Sequence, residues 1–186
     1  FPPAFIPDEN GKPKHSWRVL ILPFLEQQAL HAQYRFDEPW NSSHNMALAT
    51  QMPLVYRCPT EAEPGSSQTS YAMIVGPHAI SDGPTAHSMK DVKDGLSNTI
   101  MVAECAGTGI NWMEPRDLNT EEMTYRINAL NDDRKSDKSD ISSDHVGVAN
   151  VLFGDGSVRG LSATLDPTVL KAMTTIGGSE TVPSSD

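Results

Sequence analysis

The run HVGVANVLFGDGSVRGL, His145 to Leu161, restricts the fold more than any other stretch of the chain. Between Val146 and Phe153 apolar residues occupy both alternating sets, Val146, Val148 and Leu152 on one side and Ala149, Val151 and Phe153 on the other, which is the pattern of a strand inside a sheet. GDGS then reverses the chain, because Asp-Gly tolerates the left-handed conformations that a tight hairpin needs, and VRGL supplies the returning strand. At about 3.3 Å of rise per residue, His145 and Asp155 stand on the order of 30 Å apart and share neither a metal nor a proton. Asp155 is therefore expected to build the turn with Gly156. His145 either orients the entry to the strand through a hydrogen bond or joins other loops in a site whose partners the sequence does not name.

The rest of the chain reads as α+β, with helices first and last and mainly antiparallel strands between. After a Pro-rich opening loop, Ser16 caps a turn at WRVLIL and Pro23 starts a helix through PFLEQQALHAQY, burying Leu22, Leu25, Ala29 and Ala32. Ser42 or Ser43 caps a short helix that Pro53 stops. LVYRC at 54–58, TSYAMIV at 69–75 and TIMVAE at 99–104 are β-branched or aromatic and bounded by turn residues, as strands are. NTEEMTYRINAL at 119–130 reads as a helix with acids in its first turn and Met123, Ile127 and Leu130 on one face. Asp166 caps and Pro167 opens a last helix, which Gly177 and Gly178 end.

With 186 residues, 38% of them hydrophobic, one sizeable core is expected, and residues 1–186 are read as a single domain. A net charge of −10 repels phosphate backbones, so nucleic acid is not an expected partner. No apolar run approaches the roughly 18 residues of a membrane span. The chain begins FPPAFIPDENGKPKH, without Met, and is expected to be cut from something longer. Cys58 and Cys105 either pair, closing a loop worth about 4 kcal/mol in the chain-entropy model, or stay as two buried thiols.

No familiar catalytic pattern stands in the sequence: no G-x-S-x-G elbow, H-E-x-x-H helix, C-x-x-C pair or phosphate loop. Ser143, Asp144 and His145 are sequence neighbours and do not face one another as a triad must. The acidic loop with Asp132, Asp133, Asp137, Asp140 and Asp144 lacks the glycine of a calcium loop and is interrupted by Lys135 and Lys138, so it is read as a solvated surface loop. DGLSNT, Asp94 to Thr99, is read as a second Asp-Gly turn. Trp112 is expected to anchor a loop over the core, and Trp40 and Trp112 are read as core lids before a carbohydrate platform. No catalytic residue, cofactor site or metal site is expected from the spacing of His, Cys and carboxylates.

The segments FPPA, HSWRVLILPFLEQ, PWNSSHN, YRCP, TSYAMIVG, DGLSNTIMVAE, WMEPRDL and HVGVANVLFGDGSVR together resemble, in order and across nearly the whole chain, a bacterial paralogous family of unknown function. Its members carry a prepilin-like N-terminal cleavage and methylation segment and a C-terminal His-x9-Asp-Gly motif, which His145, Asp155 and Gly156 fit here. The family is also filed as extracellular solute-binding proteins, family ten. The resemblance implies a pilin- or pseudopilin-like headpiece, a helix packed on a mainly antiparallel sheet, with a membrane-embedded N-terminal helix that precedes Phe1 and is missing from this sequence. It further implies a non-enzymatic, inner-membrane-anchored protein displayed in the envelope outside the cytoplasm. Its partners would be protein subunits of an envelope assembly or a second copy of itself, and the membrane would be met only through the removed helix. The alternative it leaves open is an extracellular module that binds a solute or polymer.

Overall fold

The computed structural model describes residues 1–60, 65–129 and 140–178. Part of the opening stretch, a loop by sequence, is a two-stranded antiparallel sheet of β1 (Phe5–Pro7) and β2 (Pro13–Ser16). Asp8 makes its turn by accepting from the Asn10 and Lys12 N–H groups, each at 2.8 Å. Ser16 caps α1 (Trp17–Leu20) through a bond from the Arg18 N–H. Pro23 does begin a helical turn, but it is a 3-10 turn over Leu22–Leu25 that ends at Glu26 (φ 60°), before α2 (Gln28–Gln33). The break rotates the expected stripe: Leu30 and Tyr34 are buried, whereas Ala29 and Ala32 face solvent. Leu and Tyr one turn apart bury far more apolar area than two alanines, which favours that rotation. Ser42 caps α3 (Ser43–Met46), accepting from the Asn45 N–H.

Residues 54–58, expected as a strand, form a 3-10 turn over Leu54–Tyr56 that leaves Leu54 and Val55 exposed. Pro53 just ahead sets the turn, and the segment meets Ser70 through single bonds, Ser70 N–H to the Tyr56 carbonyl and Cys58 N–H to the Ser70 hydroxyl, without a ladder. The main sheet is built from β3 (Tyr71–Val75), β4 (Ser81–Asp82), β5 (Thr85–Ala86), β6 (Ile100–Glu104), β7 (Leu118–Asn119), β8 (Val148–Phe153) and β9 (Val158–Ser162). Its order is β5-β4-β3-β6-β8-β9, with β7 also against β3. The pairs β3–β6, β6–β8, β8–β9 and β4–β5 are antiparallel, and the short contacts of β3 with β4 and β7 are parallel. The architecture is thus α+β, mainly antiparallel, with few and short helices. Asp166 caps α4 (Pro167–Ala172) as the sequence indicates, but the helix ends at Ala172, ahead of Gly177.

The helix expected over 119–130 does not form across 119–129, and Leu130 lies outside the described residues. Tyr125 and Asn128 take positive φ of 59° and 56°, and the N–H groups of Thr124 and Tyr125 donate to the buried Asp140 carboxylate at 2.9 and 3.0 Å. A charged acceptor brought in by the tertiary fold outbids the neutral carbonyl one turn back. The Thr124 hydroxyl donates to the same carboxylate. Asp132, Asp133 and Asp137 lie outside the described residues.

Register defines the two faces of the sheet. Ala72, Ala103 and Val151 align on one face and, with Ile74, Ile100, Phe153, Ile141 and Leu170, form the main core beneath α4. Met73, Val102, Leu152 and Val158 align on the other, where Ala4 and Trp17 cover only part of the row. Trp112 is fully buried, stacked on Tyr56 and donating to the Ala49 carbonyl at 3.0 Å, so it anchors a loop in the N-terminal helical cluster. That cluster is tied to the sheet by a buried ion pair, Arg18 Nη2 to Asp117 Oδ1 at 2.8 Å. The same Asp117 oxygen accepts from the Trp17 indole and the Met73 N–H, while Arg18 also donates to the Tyr71 carbonyl and Ser16.

Candidate functional site

His145 and the Asp155–Gly156 pair stand at the two ends of β8. At its C-terminal end Gly156 (φ 86°) donates to the Phe153 carbonyl at 3.0 Å and Phe153 donates to the Ser157 carbonyl at 2.9 Å, which is a type I turn closed by a left-handed glycine. Asp155 accepts from the Ser157 N–H and hydroxyl, and these bonds, the hydroxyl's foremost, hold its carboxyl below the usual aspartate range. Backbone bonds from Gly154 and Asp155 to the Thr99 and Leu96 carbonyls pin this turn to the start of β6.

His145 stands at the other end, among residues the sequence does not link to it. Because β3, β6 and β8 alternate in direction, the start of β3, the end of β6 and the start of β8 meet at one edge. Glu104 ends β6 there, and Ser70, just before β3, receives the Cys58 N–H on its hydroxyl at 2.8 Å. The outcome is a three-residue cluster: His145 Nε2 lies 3.5 Å from Cys58 Sγ and 3.4 Å from Glu104 Oε1. The ligand atoms of all three lie within 4.8 Å of one another. Cys58 and Glu104 are buried, and the His145 side chain is 34% exposed. The Glu104 carboxylate is fixed by Asn150, whose N–H donates to Oε2 at 2.7 Å and whose amide donates to Oε1 at 3.0 Å. The cluster borders a small recess lined by Cys58, Ser70, Glu104, Ala106, Ser143 and Asp144.

Spacing along the chain offered no signal for this grouping, since 46 positions separate Glu104 from Asn150 and 87 separate Cys58 from His145. The argument from spacing against a metal site does not reach it. Ser143 accepts the His145 N–H at 3.2 Å and does not form a triad with it. Cys58 and Cys105 are both buried and no disulfide joins them.

A second feature lies on the partly covered sheet face. Trp17, Ile21, Met73, Met101, Leu152 and Val158 line an open groove of about 560 Å³ in which Asn150 is the one amide. Pro2 is also part of the lining. Val158 is 66% exposed, so apolar surface here is wet. Among the described residues no helix is long and apolar enough to cross a membrane.

Fold and site together describe a small α+β domain whose mainly antiparallel sheet is closed on one face and carries an apolar groove on the other. The chain belongs to the family described as "Protein of unknown function (DUF1559)", short name SBP_bac_10, which matches residues 1–89 and 73–168. No curated protein and no solved structure matches it.

Proposed function

We propose that this domain is a non-enzymatic, pilin- or pseudopilin-like headpiece, held at the envelope outside the cytoplasm and working through protein contacts. The observation that supports the reading is the apolar groove on the open sheet face. A sheet row of Met73, Val102, Leu152 and Val158 left partly wet costs solvation free energy that a covering element recovers, at roughly 25 cal/mol per Å². The occupant we assign is an apolar helix on the N-terminal side of Phe1, as the resemblance implies, and Pro2 in the lining brings the first residues of the chain to the groove.

The test is the association state of the domain on its own. With the groove uncovered, it is expected to self-associate reversibly in sedimentation velocity, and Leu152→Glu is expected to return it to monomer with an unchanged near-UV circular dichroism spectrum. A parent domain that remains monomeric at high concentration, and whose groove fails to cross-link to a preceding segment in a longer chain carrying Leu152→Cys, would overturn the reading. One observation favours a second reading: the groove falls within the roughly 300–1,000 Å³ range of small-molecule sites, and the family's short name hints at solute binding. A monomer that binds a small apolar solute, with binding lost in Leu152→Glu, would select an extracellular solute-binding module.

A further inference from the structure

We propose that Cys58, Glu104 and His145 form a binding site for a divalent transition metal of the zinc type.

In a nucleophile–histidine–carboxylate relay the thiol and the carboxylate address opposite ring nitrogens, so that one takes the proton while the other orients the ring. Here Cys58 Sγ and Glu104 Oε1 both approach Nε2, at 3.5 and 3.4 Å. A single N–H on Nε2 would be shared between a sulfur and an oxygen that both lie close to it, and the N···O distance is long for a full hydrogen bond. Convergence of S, N and O on one point is instead what three ligands of a common ion do.

The spacing agrees with that ion's size. Zinc bonds of about 2.3 Å to sulfur, about 2.05 Å to imidazole nitrogen and about 2.1 Å to carboxylate oxygen, at tetrahedral angles, place S and N about 3.6 Å apart and N and O about 3.4 Å apart. The two observed separations match both edges. A thiolate in the set selects a borderline or soft ion over calcium or magnesium.

Charge and support point the same way. Glu104 is 2% exposed, and its one ion-pair partner among the described residues is His145, which is charged only when protonated. A buried carboxylate needs a lasting counter-charge, which a divalent ion supplies. Asn150 holds the carboxylate from behind with two hydrogen bonds, and Ser70 fixes the Cys58 backbone, the kind of outer support that orients metal ligands. The ligands come from three segments that meet at the end of β6, and the 34% exposure of His145 leaves an entry path. The family motif then has two separate roles: its histidine is a ligand, and its Asp-Gly end builds the turn that pins β8 to β6.

The test titrates the chelator-treated 186-residue chain with Co²⁺ and Zn²⁺. Expected are one ion per chain and, with cobalt, an intense thiolate-to-metal charge-transfer band. Cys58→Ser is expected to abolish the band. His145→Gln and Glu104→Gln are expected to weaken binding by about a hundredfold or more at unchanged near-UV circular dichroism, while Asp155→Ala binds like the parent. X-ray absorption of the zinc-loaded parent needs no variant and is expected to show one sulfur among nitrogen and oxygen neighbours. No saturable uptake by the folded parent, a band that survives Cys58→Ser, parent-like affinity in His145→Gln, or a zinc shell with no sulfur or with two would each overturn the assignment.

Discussion

Asp117→Asn isolates the buried ion pair that joins the N-terminal helices to the sheet. Side-chain exposures of Arg18 and Asp117 are 0% and 3%, so neither charge is hydrated. Removing one partner of such a pair typically costs about 3–5 kcal/mol, because the remaining charge is stranded in a poor solvent. The low end applies here, since an asparagine oxygen still accepts from the Trp17 indole and the Met73 N–H, and Arg18 keeps the Tyr71 carbonyl and Ser16. A loss of about 3 kcal/mol is a large part of an ordinary stability of about 5–15 kcal/mol. It corresponds to a fall in Tm of roughly 6–12 °C for a chain of this length. Urea denaturation followed by circular dichroism measures it, with Arg18→Met and the double variant completing a cycle. Once both charges are gone, the double variant is expected to recover about 2 kcal/mol relative to the sum of the singles. A cost below about 1 kcal/mol for Asp117→Asn, or strict additivity in the cycle, would refute the account of this pair as a desolvated, mutually dependent unit.

Two further outcomes follow from the geometry. Gly156 has φ 86° and open space where a Cβ would stand, so Gly156→Ala is expected to cost about 1–2 kcal/mol from backbone strain alone and Gly156→Asn distinctly less, read as shifts in the denaturation midpoint. His15 is buried, with Nδ1 facing the Tyr34 hydroxyl at 2.9 Å and Nε2 facing the Phe36 carbonyl at 2.9 Å. Burial holds its pKa below the usual histidine value, against the Phe36 carbonyl and with help from Lys14. The unfolded chain therefore takes up this proton first as pH falls. The contribution is complete above about pH 6.5 and is lost between there and the lower folded pKa, at no more than about 1.4 kcal/mol per pH unit. His15→Gln is expected to flatten stability against pH in that window, and an unchanged slope counts against the assignment.

Local features were legible in the sequence where local physics decides them. The Asp-Gly turn, the two-sided strand before it, the caps at Ser16, Ser42 and Asp166, and the strands around 71–75 and 100–104 all depend on residues within a few positions of one another. The misread elements depend on distant groups. The stretch at 119–130 has helical periodicity, but Asp140 takes the N–H bonds that a helix would use internally. The stretch at 54–58 has strand composition, but the turn after Pro53 leaves it with single bonds to Ser70 in place of a ladder. The helix after Pro23 breaks where burying Leu30 and Tyr34 outweighs keeping a continuous alanine stripe.

The candidate sites divide in the same way. By itself the sequence determined that His145 and Asp155 stand at opposite ends of one strand, because strand rise fixes that distance. Only the tertiary structure decided what His145 meets, since the antiparallel order of β3, β6 and β8 delivers Cys58, Glu104 and His145 to one edge from three separate segments. Likewise, alternation along β8 marks two apolar faces. Which of them is closed by α4 and which is left as a groove depends on where the connecting chain packs, and no local pattern encodes that.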